Sequence, residues 1–253
     1  MIKLFSPNKK TLYLFSVIFM HTLFNSCEKE QDFNCIVSSG NFKTSKIDLD
    51  DFDQIKIYIE SDVVIKQGSK SKIQLEGNAA LVDSIYSAVE NKKLIVELKS
   101  PYCNPDIPLK ISITTPNLKE LVINEKGNTI IHDFENQQKL KLQINSDGNI
   151  ELNELKNLEQ LKISLQEGAT IQSKKRIPKV NFFKIDIKGN GVVMGYPIIA
   201  QDVEIRIEGR GSCEITAINS LYVDIVGNAN VYCKGIPTLH KRITGRGNVY
   251  FTN

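Results

Sequence analysis

The chain has 253 residues, 41% of them hydrophobic and 24% charged, with a formal net charge of +3. That length gives room for one large domain or two small ones, and the composition is that of a globular protein. The 32 basic residues are interspersed with 29 acidic ones, which argues against a dedicated nucleic-acid surface, so no nucleic-acid partner is expected.

The N-terminus stands apart from the rest. Lys3, Lys9 and Lys10 precede the apolar run "TLYLFSVIFMHTLF", which is shorter than the ~20 residues a membrane span needs. Residues 1–26 are therefore read as a signal peptide. The run ends in "LFNSC", which resembles a bacterial lipobox, with cleavage before Cys27 and acylation of its thiol. The short acidic stretch "EKEQDFN" comes next, and residues 27–45 read as a lipidated N-terminus and tether. Glu28 stands where an aspartate would mark inner-membrane retention, so the expected location is the outer membrane. The membrane is then a partner through the lipid anchor.

Residues 46–253 read as one β-helical domain. "FDQIKIYIESDVVIKQG", from Phe52, alternates Ile57 and Ile59 with polar residues, turns, and resumes at Val63 and Ile65. This is a coil or a hairpin. "KIQLEGN" and "KKLIVELK" are two further strands; between them Leu81, Ile85 and Val89 fall at helical spacing, which predicts one short helix within Asn78–Asn91. "SPYCNPDIP" is a loop, and "LKISITTPNLKELVI" leads into a repeat. This irregular N-terminal region is expected to cap one end of the repeating region.

From residue 119 one layout recurs: an apolar alternation, a turn rich in Gly or Asn, and a second alternation. The last inward residues before each turn are Ile123, Ile144, Leu165, Ile187, Ile207, Ile225 and Ile243. Two residues earlier stand Leu121, Leu142, Ile163, Ile185, Ile205, Val223 and Lys241. Beyond the turn run Ile130, Ile150, Ile171, Val193, Cys213, Val231 and Val249. The gap across the turn is six residues except in the first repeat, where it is seven. Strand side chains alternate with period two, and only a stack of coils can bury them, so the fold class is all-β. The expected architecture is a right-handed parallel β-helix, a solenoid of about seven or more coils. Glycines in "GNG" and "GRG" serve tight corners that need φ > 0 or close backbone approach.

The outward column of the last four repeats reads Asp186, Arg206, Asp224, Arg242. Its alternating sign suits charge matching between neighbouring coils. Tyr232 and Tyr250 share another outward column, where stacked aromatics either support each other or receive a sugar. These six side chains are the candidate binding surface.

The whole pattern resembles the auto-transporter adhesin head family, the GIN-domain proteins found among Gram-negative lipoproteins. The resemblance is carried by "FDQIKIYIESDVVIKQG", "NKKLIVEL", "LKISITTPNLKELVINEKGN" and the Gly-x-Gly repeats, over roughly residues 48–252. It implies a β-helical lipoprotein exported to the envelope and brings no functional residues with it. In the middle repeats "KGN", "SDG" and "EGA" replace the glycine pairs.

No residue pattern points to a cofactor or a metal. Cys213 and Cys233 point inward on adjacent coils with a two-residue offset, too far apart for a disulfide and read as buried thiols. Pairing of Cys35 with Cys103 is left open. His132, at an inward position or its rim, and His240, at a corner, lack a Ser or Cys partner for a triad. The leading expectation is a non-catalytic envelope lipoprotein that presents a rigid surface to a protein or glycan. The alternatives are a carbohydrate-active β-helix enzyme (lyase or hydrolase) using Asp186, Arg206, Asp224 and Arg242, with Lys188 and Glu208 one step along, and a structural protein assembling into homo-oligomers through its C-terminal coil.

Overall fold

In β8 (Glu120–Ile123), β10 (Lys139–Ile144) and β12 (Gln160–Glu167), each aliphatic residue that alternates with a polar one lies directly over its counterpart in the next repeat. These strands come after β1 (Phe42–Asp48), β2 (Gln54–Tyr58), β3 (Asp62–Gln67), β4 (Lys72–Asn78), β5 (Ile85–Glu90), β6 (Lys93–Leu98) and β7 (Lys110–Thr115), and interleave with β9 (Asn128–Ile131) and β11 (Asn149–Leu152). The later strands are β13 (Thr170–Ser173), β14 (Ile177–Gly189), β15 (Val192–Gly209), β16 (Ser212–Gly227), β17 (Asn230–Lys234), β18 (Thr238–Gly245) and β19 (Asn248–Thr252). This computed structural model describes residues 35–37, 40–103 and 108–252. The segment read as a signal peptide, Cys27 and the segment read as a tether, as far as residue 34, lie outside the described residues.

Parallel pairing stacks Ile123 on Ile144, then Leu165, Ile187, Ile207, Ile225 and Ile243 in unbroken register. These seven rungs make six turns of a β-solenoid. All but Ile243 are buried; Ile243, in the last rung, is only half-buried. Burying a side chain of this size contributes about 1.5–3 kcal/mol, and no rung could do so alone. The companion column from Leu121 to Val223 is equally buried, whereas Lys241 is exposed.

The third column needs one correction. Ile150 pairs with Thr129, not with Ile130. Thr129 is buried and Ile130 turns outward. The gap across the first turn is therefore six residues, as in every other repeat; the hydroxyl of Thr129 had disguised an inward position.

The repeat extends upstream in an unexpected order. β2 lies between β6 and β8, and β3 between β7 and β9, all in parallel. Residues 54–67 thus form a coil, and it is inserted between two coils that come later in the chain. Beyond β6 and β7 the sheet turns antiparallel: β5 pairs with β6, β4 with β7, and β1 with β4. This is the expected cap.

The predicted helix is shorter than its spacing suggested. Helix α1 covers only Ala79–Ser84, with Leu81 and Val82 buried, and Asn78 accepts a hydrogen bond from the Ala80 N–H at 3.1 Å. Ile85 and Val89 belong instead to β5. The cause is the turn after β5: Asn91 and Lys92 both take positive φ, 50° and 62°, the two-residue geometry that closes a hairpin. A disulfide joins Cys35 to Cys103, Cα atoms 5.2 Å apart, beside a parallel bridge between Ile36 and Tyr102. Cys213 and Cys233 are buried free thiols, paired in register with Val231 and Ile215.

The corners explain the glycines. Gly209 and Gly227 both have φ of 132°, and a Cβ on Gly227 would lie 2.2 Å from the Gly209 carbonyl oxygen. The rung below leaves no room for a side chain. Two turns before Gly209 in the same column stands Glu167, in register with Gly189 and held at a φ of 54°. The middle corners rely on asparagine instead: Asn145 donates to Asn124 at 2.8 Å and Asn149 to Asn128 at 3.2 Å.

Candidate functional site

The outward residues of β14, β15, β16 and β18 form one face. Strand pleating sends alternate side chains to solvent, and parallel register lines them up along the solenoid axis with a rung spacing of about 4.8 Å. One column runs Asp186, Arg206, Asp224, Arg242; the next, two residues earlier, runs Lys184, Glu204, Tyr222, His240. Around Glu204, Arg206, Tyr222, Asp224, His240 and Arg242 lies a groove of about 910 Å³.

The charges pair off. The Arg242 guanidinium grips Asp224 through two nitrogens, Nε donating to Oδ1 at 3.0 Å and Nη2 to Oδ2. This holds the Asp224 carboxyl below its ordinary range. Arg206 does not bond to either neighbouring aspartate; its Nη2 donates along its own strand to Glu208 at 2.7 Å. Lys184 donates to Glu204 at 2.6 Å, which raises its own pKa. Ser220 donates to Asp202, also at 2.6 Å. The sign alternation read from the sequence is therefore realised as a direct ion pair in the Asp224–Arg242 step.

Tyr222 and His240 stack face to face beside these pairs, ring centroids 4.7 Å apart and planes inclined by 10°. That separation matches the rung spacing, so the stack runs along the axis. His240 sits within β18 and not at a corner as its sequence context suggested, and His132 is exposed just past β9. Sequence reasoning missed Tyr222, His240, Glu204 and Lys184 as members of this face. The signal was available: they recur two residues before the charged column, at the same steps.

The six candidate side chains do not form a single site. Asp186, Arg206, Asp224 and Arg242 share the grooved face, whereas Tyr232 and Tyr250 lie on another, formed by β17 and β19. There they stack with centroids 5.3 Å apart, near Tyr196, whose ring carries the Lys234 ammonium at 4.8 Å. Asp186 and Asp224 are two rungs apart with Arg206 between them, roughly 10 Å of separation. Cys213 and Cys233 are buried, and burial pushes both thiols up, which disfavours the thiolate. Among the described residues no group of three or more His, Cys, Asp or Glu converges as a metal site would require.

Residues 51–237 match the family model described as "Putative auto-transporter adhesin, head GIN domain". The chain belongs to this family. Solved structures share the GIN-domain fold. A "putative lipid binding protein" from Parabacteroides distasonis ATCC 8503 superposes with a TM-score of 0.71 at 21% identity, over 86% of this chain and 99% of that one. A "putative adhesin" from Bacteroides fragilis NCTC 9343 gives 0.68 at 22%, over 85% and 98%. Another "putative adhesin", from Parabacteroides merdae ATCC 43184, gives 0.64 at 21%, over 86% and 99%. No curated protein matches the chain.

Proposed function

We propose that this GIN-domain protein is a lipid-anchored, non-catalytic protein of the outer membrane whose solenoid offers a rigid face to a protein or glycan partner. Residues 1–26 direct export and Cys27 carries the acyl chains; several chains' worth of buried CH₂ groups gives stable anchoring. The adhesin descriptions of the family and of its structural neighbours support an envelope role.

The observation that carries the binding role is the grooved face. Its donors and acceptors are held on stiff sheet, mostly neutralised in pairs, beside a stacked Tyr222–His240 wall. A charge-balanced groove of this kind exchanges bound water for the hydroxyls or amides of a neutral polar ligand without stranding a charge. Acid–base catalysis on a sugar needs two carboxylates flanking one bond, whereas here Arg206 stands between Asp186 and Asp224.

Two experiments test this. Metabolic labelling with a fatty-acid analogue should mark the wild-type chain and not Cys27→Ala; label retained in the variant contradicts the anchor. Capture from intact cells, together with a glycan array, should identify ligands whose binding drops at least tenfold in Tyr222→Ala and Arg242→Ala. Glycan turnover abolished by Asp224→Ala would instead establish an enzyme.

A further inference from the structure

The charge balance of the whole chain conceals a local excess. From Ile225 to Asn253 there is no Asp or Glu, while Lys234, Lys241, Arg242 and Arg246 are all basic. Asp224 takes up the charge of Arg242, and Lys234 rests on the Tyr196 ring. Among the described residues, no carboxylate lies within ion-pair distance of Lys241 or Arg246. Both side chains are exposed in the last described rung, formed by β18 and β19.

The same rung exposes large apolar side chains. Ile236, on the corner leading into β18, is 98% exposed; Phe251 and Tyr250 on β19 are 51% and 43% exposed. Cations sharing a rung with exposed aliphatic and aromatic groups suit the boundary between lipid headgroups and acyl chains, where long basic side chains keep their charge at the phosphates.

We infer that this rung is a second membrane contact, docking on an anionic lipid surface at headgroup depth. Lys241 decides between this and the competing occupants. It stands in register with Val223 in the otherwise apolar column, where a further rung from a second copy, or an added strand, would meet a charged side chain in place of an aliphatic one; a charge at such a position blunts an edge. A hydrated phosphate layer accepts the same charge favourably. Among the described residues no strand pairs with the outer edge of β18 and β19, and this sets the depth, because unpaired N–H and C=O groups are not tolerated in hydrocarbon.

The inward ladder from Val96 through Ile57 to Ile243 has nine rungs, so eight steps, roughly 38 Å, separate the capped end from the basic end.

The chain contains no tryptophan, so Ile236→Trp introduces a single indole reporter into the full-length protein. It is mixed with vesicles of phosphatidylcholine alone or with added phosphatidylglycerol. Indole emission should shift to the blue only with the anionic vesicles, and the shift should vanish in high salt. Adding Lys241→Glu and Arg246→Glu to the same background should weaken this contact roughly thirty-fold, at about a tenfold loss per 1.4 kcal/mol. Circular dichroism confirms that this variant keeps the strand signal, and the salt series tests the same electrostatic contact should it not fold. An unshifted indole on anionic vesicles that the protein has bound overturns the inference, as does a shift unchanged by charge reversal. Co-flotation of the chain with both vesicle types reports the lipid anchor independently, so failure of one reading is distinguishable from failure of the other.

Discussion

Replacing Gly227 by alanine probes the corner on which the stacking depends. The new Cβ would lie 2.2 Å from the Gly209 carbonyl oxygen at a φ of 132°. Holding a non-glycine residue in such a region costs about 1–3 kcal/mol. Relief requires the two rungs to part by about 1 Å to restore van der Waals contact. That movement breaks the bond donated by the Asn228 N–H to the same oxygen, now 2.8 Å long, at a further net cost of about 0.5–1.5 kcal/mol. Together these give roughly 2–4 kcal/mol, or a Tm lowered by about 6–12 °C at the middle of that range for a body of this size. Gly40→Ala is the control, since Gly40 also has positive φ, 74°, but nothing lies within 4 Å of its would-be Cβ. It should cost only about 1–2 kcal/mol. Thermal and urea unfolding followed by far-UV circular dichroism would compare the two. Equal destabilisation would refute the argument that rung-on-rung contact, and not backbone conformation alone, demands glycine at the corner.

Glu167→Gly should act in the opposite sense, because Glu167 occupies the glycine column at a φ of 54°; relief of left-handed strain, less the added chain entropy, predicts a gain of up to about 1 kcal/mol in urea unfolding. Cys103→Ser removes a cross-link spanning 68 residues, and should lower stability by about 2–4 kcal/mol, with reducing agent having the same effect on the wild type and none on the variant. Arg242→Gln should let the Asp224 carboxyl titrate nearer its ordinary value in NMR. Because Arg242 depresses the folded-state pKa, the pair's contribution is present above the unfolded carboxylate pKa and fades as pH falls through the lower folded value. An Asp224 titration unaffected by Arg242→Gln would disprove the pairing.

The repeating part of this fold was legible because its signal is local and reiterated. Period-two alternation, fixed turn lengths and corner glycines each recur, and an error at Thr129 could be recognised by its odd gap. The insertion of residues 54–67 between two later coils was not legible, since parallel pairing of non-consecutive strands leaves no mark in either strand alone. The hairpin at Asn91–Lys92 was hidden by a lysine at a position that usually advertises itself with glycine. In Asn78–Asn91 three aliphatic residues satisfied a helical spacing that only the first turn obeys. For the grooved face, the charged column was visible through its alternating sign. Tyr222 and His240 became partners only when register placed one ring over the other.

Hydrogen–deuterium exchange across the rungs tests the stacked interior most directly, and with it the rigidity that the binding face requires. If the aliphatic columns form one dry core, the amides of Ile187, Ile207 and Ile225 should be among the slowest to exchange, with protection falling toward β18 and β19. Exchange at those three residues as fast as at Ile243 would contradict the account.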